Sequence, residues 1–243
     1  MHRFFVNAQA IRPDKVVIDD SRVHQIRDVL RMKTGDEIIV LDNTGLEYNV
    51  RLTNISVKEI VGEVIEKKQS ESEPHTKITL FQSMLVREKF EFVLQKCTEI
   101  GVTRFVPVIT ERSIVRRAEK ITGQKLARYE SIITEAAEQS ARGKIPLLNS
   151  PIDLSQAASD LKGFDICLVG STQKCRSLKN ILRDSKSLTE SIALFIGPEG
   201  GFSEKEIEFL ESRAVQSFSL GKRILRTETA AVAASAIILY ELE

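Results

Sequence analysis

Two short segments concentrate the residue types that can do chemistry. The first is Gly197-Pro198-Glu199-Gly200-Gly201-Phe202-Ser203, which follows the apolar run 192–196. Ser203 and Glu206 then stand at the spacing of an N-cap and its N3 partner, the capping box that opens a helix. Glycines let a ligand approach the main chain, whose N–H groups become donors. The second is Ser219-Leu220-Gly221-Lys222-Arg223-Ile224-Leu225-Arg226-Thr227-Glu228-Thr229-Ala230. Here too a strand ends, a glycine turns the chain, and polar groups precede a helix. A guanidinium at Arg226 could hold a phosphate. The plainer readings stay open: a tight strand-to-helix turn for the first segment, and N-cap roles for Thr227 or Glu228 in the second. The first segment is not the dinucleotide fingerprint, and no Gly-Lys-Ser/Thr of a phosphate-binding loop ends it, so hydride transfer and nucleotide hydrolysis lose their best warrants.

Other chemistries find less support. His2, His24 and His75 are scattered without paired spacing, so no metal is expected. Cys97, Cys167 and Cys175 lack CxxC spacing, which argues against a disulfide framework and for a reducing cytosol, and Cys167 and Cys175 read as buried thiols. There is no GxSxG, and a hydrolase is a weak reading. The apolar fraction of 42% and charged fraction of 28% in 243 residues describe an ordinary folded protein. No run reaches the roughly 18 apolar residues of a membrane span, and charges follow the N-terminal residues without a signal-peptide pattern. A cytoplasmic protein is expected. Lys plus Arg exceed Asp plus Glu by only 35 to 34. Residues 104–144 nevertheless hold nine basic and five acidic groups, with Arg112, Arg116, Arg117 and Lys120 close together. That zone fits either nucleic-acid contact or a solvated helix face.

The elements that position these segments fall into two parts. Short apolar runs at 4–6, 16–18, 37–41, 46–52 and 60–65, with a helix over 21–30 and a turn at Asp42-Asn43-Thr44-Gly45, predict a small β-barrel. The polar stretch 67–74 reads as a linker, and the domain boundary is placed at residue 70. Beyond it strands alternate with helices: strands at 78–82, 105–109, 166–169, 192–196 and 215–220, a helix at 88–100 capped by Gly101, a long one ending near Gly143, and a last one at 229–239. The alternation predicts a largely parallel α/β sheet with helices on both faces, whose ligands bind at the carboxyl ends of strands. The last helix is apolar nearly all round, so its own domain or a second subunit must bury more than one side.

With Gln95-Lys96-Cys97-Thr98-Glu99-Ile100-Gly101-Val102, Glu111-Arg112-Ser113 and Glu135-Ala136-Ala137-Glu138-Gln139-Ser140, the two segments resemble the bacterial 16S rRNA (uracil-N3)-methyltransferase family of the SPOUT class. The likeness covers most of the chain in order; Lys222 departs from it, because many members carry Pro after this glycine. The resemblance implies a PUA-like β-barrel, RNA-binding domain over 1–70 and a SPOUT methyltransferase domain over 71–243 with a trefoil knot. It implies S-adenosylmethionine in that knot, held by Val169, Gly170, Ile196, Gly197, Pro198, Glu199, Gly200, Gly201, Ser219, Leu220, Gly221, Ile224 and Leu225. It also implies a homodimer acting on 16S rRNA of the small ribosomal subunit. Uracil N3 is a poor nucleophile until its proton leaves, and Glu228 is the candidate base, with Arg226 steadying the anion or a phosphate. N3 lies on the Watson–Crick edge, so the base must be unpaired or flipped. Arg3, Arg12, Arg22, Arg27, Arg112, Arg116 and Arg117 are the candidate phosphate contacts. The alternatives are a SPOUT enzyme acting on another RNA position, such as a ribose 2′-hydroxyl, and a non-catalytic RNA-binding assembly factor.

Overall fold

The computed structural model describes residues 1–113, 122–173, 175–185 and 189–243. Its contacts divide the chain into two units, 1–73 with 137–145, and 74–136 with 146–243.

In the first unit, β1 (His2–Phe5), β2 (Lys15–Ile18), β3 (Glu37–Leu41), β4 (Leu46–Ile55) and β5 (Ile60–Gln69) form one sheet in the order β1-β3-β4-β5-β2. Asn43 (φ 64°) and Gly45 (φ 102°) supply the left-handed positions that the β3–β4 turn requires. The β4–β5 register shifts at Asn49/Val50 and again at Leu52/Asn54. Such bulges bend a strand pair, and the sheet curls over a core that includes Phe4, Val16, Ile26, Ile38, Val50 and Ile60. The single helix expected over 21–30 is instead a short α1 (Arg22–His24) followed by a π turn over Gln25–Val29. The wider turn keeps Val23 and Ile26 buried while the Leu30 N–H reaches the Gln25 carbonyl.

The segment 137–145 joins this unit through a carboxylate at each end. Glu138 accepts from Phe5 N at 2.9 Å and pairs with Arg22 at 2.7 Å. Glu73 pairs with the buried Arg142 at 2.8 Å and accepts from the Gly143 and Lys144 amides at 3.1 Å each. A contiguous first domain ending at residue 70 leaves this segment out, because its partners lie some 70 to 130 residues away in sequence.

The second unit contains β6 (Lys77–Ser83), α2 (Arg87–Ile100), β7 (Arg104–Ile109), α3 (Gly123–Gln139, whose last residues belong to the first unit), β8 (Leu147–Leu148), β9 (Ile152–Asp153), α4 (Leu154–Ala157), β10 (Ile166–Gly170), β11 (Arg176–Ser177), α5 (Leu178–Asp184), β12 (Ser191–Ile196), α6 (Glu204–Glu211), β13 (Gln216–Ser219) and α7 (Thr227–Leu242). The strands run β11-β13-β10-β12-β6-β7-β8, with β9 also on β7, and every ladder is parallel. Near-continuous apolar strands are what a sheet covered on both faces needs. On one face Phe81 and Phe195 stack at 4.4 Å within a core shared with Ile207 and Leu210 of α6. On the other, α2 and α7 pack together, with Phe90, Val93, Leu94 and Cys97 buried.

The strand order departs from a simple winding. β13 lies between β10 and β11, although only residues 171–175 join those two strands. At the end of β10, Ser171 N donates to Phe218 O of β13 at 3.0 Å. A later strand inserted between two consecutive ones is compatible with the trefoil knot that the resemblance implies, which ordinary folds avoid. Among the described residues, no helix is long and apolar enough to cross a membrane.

Candidate functional site

The carboxyl ends of β10, β12 and β13 open onto one cavity of about 610 Å³. Three loops wall it: residues 170–173, 196–202 and 218–228. Gly197 and Gly201 shape the middle loop for different reasons. A side chain on Gly197 would meet Phe202 at 3.1 Å, while Gly201 holds φ 67° and closes a turn by donating to Pro198 O at 2.9 Å. The loop then enters α6 through the expected capping box, with Ser203 N donating to Glu206 at 2.8 Å and Glu206 N to Ser203 Oγ at 3.3 Å. The other carboxylate oxygen of Glu206 accepts from Glu111 N at 2.8 Å. Lys89 pairs with Glu199 at 3.2 Å, and Arg112 donates to Gly200 O at 2.9 Å. The glycine loop is thus gripped from α2, from the 110–113 turn and from α6.

The last loop leads into α7. Arg226 is its exposed N-cap without a side-chain capping bond, and Thr227 begins the helix. The Thr227 hydroxyl donates to Gly197 O at 2.5 Å. Glu228 follows in the first turn, and its Oε2 is buried without a hydrogen-bond partner among the described residues. Buried carboxylate oxygens nearly always have a donor, so this one is an exception at the cavity wall. Ile224, 84% exposed, projects from the same wall.

Of the residues that the resemblance assigns to the cofactor, Gly170, Ile196 to Gly201, Ser219 to Gly221, Ile224 and Leu225 line this cavity, as do Arg226 and Glu228. Val169 does not. It is fully buried in mid-sheet, paired with Phe195 and Ser217, and packs into the core on the α6 face. Arg112, expected among the phosphate contacts, lines the cavity instead. Arg3 pairs with Glu47, and Arg22 with Glu138. Arg27 pairs with Asp28 at 2.6 Å, and its guanidinium holds that carboxyl down to about 2. Arg12 is exposed. Arg116 and Arg117 lie outside the described residues.

Residues that sequence reasoning missed include Lys89, Thr172, Gln173, Phe202 and Thr227. The Lys89–Glu199 pair spans 110 positions, and nothing local to Lys89 announces it. No group of three His, Cys, Asp or Glu that could hold a metal occurs among the described residues. Burial pushes the Cys97 thiol up to about 12 and raises those of Cys167 and Cys175.

Comparison with known proteins bears on this geometry. Residues 71–239 match the family model of an RNA methyltransferase domain, and residues 18–65 that of an RNA methyltransferase PUA domain. The chain is 32% identical to ribosomal RNA small subunit methyltransferase E of Bacillus subtilis, over all of this chain and 98% of that one. It is 35% identical to the protein of the same name from Mesomycoplasma hyopneumoniae, over 96% of each. Among solved structures, ribosomal RNA small subunit methyltransferase E of Neisseria gonorrhoeae, bound to S-adenosyl methionine, superposes with a TM-score of 0.88 at 33% identity, covering 98% of this chain and 96% of that one.

Proposed function

The chain belongs to the RNA methyltransferase family, and from that premise we propose that it methylates N3 of one uridine in the 16S rRNA of the small ribosomal subunit, with S-adenosylmethionine as donor. The observation that carries the reading is the cavity itself: a glycine loop and a glutamate with an unpartnered oxygen line one pocket at the carboxyl ends of parallel strands. Relatives covering the whole chain carry the name of a small-subunit rRNA methyltransferase, and one solved relative holds S-adenosyl methionine.

The residues present fit that donor. Apolar side chains of Ile196, Phe218, Leu220, Ile224 and Leu225 suit an adenosyl group, and the main chain of 197–201 offers polar partners. Side chains would crowd this cradle, since a Cβ on Gly170 would meet Ile196 Cδ1 at 3.3 Å and one on Gly197 would meet Phe202 at 3.1 Å. When bound, S-adenosylmethionine supplies a methyl group on a positively charged sulfur. The rest is the work of this chain. Glu228, which lines the cavity, takes the N3 proton of uracil on its carboxylate. Arg226, exposed at the rim, steadies the anion that results or the phosphate beside it.

Further assignments complete the proposal. The first unit binds RNA, with exposed Arg12 among its phosphate contacts. The protein acts as a homodimer whose interface covers Ile237 and Tyr240, which α7 leaves 36% and 87% exposed. The test is calorimetry with S-adenosylmethionine, followed by methyl transfer to small subunits from a strain lacking the gene. Binding and one 3-methyluridine per particle are expected. RNA affinity without cofactor binding would favour an assembly factor, and a methylated ribose would favour a different target position.

A further inference from the structure

Gln82 occupies a place where glutamine is expensive. It is 1% exposed in the middle of the parallel sheet, paired with Pro107 on one side and Ile196 on the other. Burying an amide there costs free energy unless its hydrogen bonds are met. Its Nε2 lies 3.1 Å from Ser83 O, 3.3 Å from Thr227 Oγ1, 3.4 Å from Ile196 O and 3.5 Å from Gly197 O. Three carbonyl oxygens converge on that atom, so the amide must present its nitrogen to them. Its own oxygen is left buried with no donor among the described residues.

The hydrogen bonds have a direction. The Thr227 hydroxyl spends its proton on Gly197 O at 2.5 Å, so its oxygen is the acceptor toward Gln82. The sequence Gln82 N–H to Thr227 O–H to Gly197 O polarises each member in turn. It joins three elements distant in sequence: the end of β6, the first residue of the glycine loop and the first residue of α7. Arg226 and Glu228 flank Thr227, so whatever fixes Thr227 fixes where that pair begins.

We propose that Gln82 is a positioning residue for methyl transfer, holding the first turn of α7, and with it Glu228 and Arg226, in register with the glycine loop 197–201. The inference rests on the reading that this loop cradles the methyl donor and that Glu228 takes the N3 proton. A misplacement of about 1 Å at reacting atoms costs on the order of 100-fold in rate, while affinity for the cofactor depends mainly on the loop walls.

The test combines Gln82→Leu with Thr227→Val, which keeps the shape of threonine without its hydroxyl, and Thr227→Ser, which keeps the hydroxyl. Single-turnover rates at saturating cofactor and small subunits should fall about 30-fold for Gln82→Leu and for Thr227→Val. The dissociation constant for S-adenosylmethionine should rise less than the rate falls, Thr227→Ser should recover most of the loss, and the double variant should be no slower than either single one. Amide hydrogen exchange gives a readout free of activity. Segments 197–202 and 226–232 should both exchange about tenfold faster in Gln82→Leu and in Thr227→Val, with the body of α6 unchanged. Should Gln82→Leu fail to fold, the Thr227→Val and Thr227→Ser pair decides alone. Wild-type rates at saturation, multiplying effects in the double variant, or exchange that changes in neither or only one segment would overturn the proposal. Absence of methyl transfer by the wild-type protein would overturn the functional reading instead, and exchange would still judge the coupling.

Discussion

Two glutamates at helix ends, one in each unit, have opposite surroundings. Glu138, at the end of α3 in the first unit, is 9% exposed at its side chain, accepts from Phe5 N and pairs with Arg22. Glu228, at the start of α7 in the second, has a buried oxygen with no partner among the described residues. The first is consumed in holding residues 137–145 to the curled sheet. The second is held by its neighbours, Thr227 and the glycine loop, and is left free to act. Folded proteins satisfy most buried polar groups, and Glu228 is one of the exceptions here that lines the cavity.

The sharpest way to break this contrast is to remove the charge at each position. Glu228→Gln should slow single-turnover methylation by about 10²- to 10⁴-fold, with S-adenosylmethionine affinity within about threefold of wild type and little change in Tm. Glu138→Gln should do the reverse. Leaving Arg22 half-buried and weakening the bond from Phe5 N should cost about 1–3 kcal/mol of stability in denaturant unfolding, with the single-turnover rate unchanged at temperatures where the variant is folded.

Gly197→Ala tests whether the cradle is as tight as its geometry. The new methyl group would stand 3.1 Å from Phe202 N, which is main chain and cannot rotate away. Overpacking of this kind typically costs 1–3 kcal/mol, so calorimetry should find S-adenosylmethionine bound about tenfold more weakly. A third carboxylate gives the smallest effect. Arg128, with Arg87 behind it, holds the Glu91 carboxyl from the usual 4.5 down to about 2. A depressed carboxylate stabilises the fold above its unfolded pKa and loses that stabilisation as pH falls through the folded one. Both arginines are more than half exposed, so the pair contributes about 0.5 kcal/mol. Wild type should therefore lose that much more stability than Glu91→Gln between pH 5 and pH 2 in acid-titrated unfolding.

How far the sequence announced each region follows from how local its causes are. The glycine loop and the Ser203/Glu206 capping box are written in adjacent residues, because a left-handed turn and an N-cap each demand particular residue types. The sheet after residue 74 was legible for the same reason, in apolar runs that strand pairing on both sides requires. What could not be read off is what depends on distant pairing. Gln82 meets Thr227 across 145 positions, and Glu73 meets Gly143 across 70. Arg112 reads as a free basic residue until its reach to Gly200 is seen. Val169 and Gly170 are neighbours, yet one is sealed inside the sheet and the other opens on the cavity. That boundary is set by where β10 stops pairing, which no single residue type fixes.

The central claim is that Glu228 serves methylation of uracil N3 in 16S rRNA. Its most direct test is to complement a strain lacking the gene with wild type or with Glu228→Gln, then map modified nucleosides in its 16S rRNA by mass spectrometry. The account predicts 3-methyluridine at one position with the wild-type gene and its near absence with Glu228→Gln expressed to the same level. Full 3-methyluridine in the variant, or a methyl group restored on a ribose or on another base atom, would contradict it.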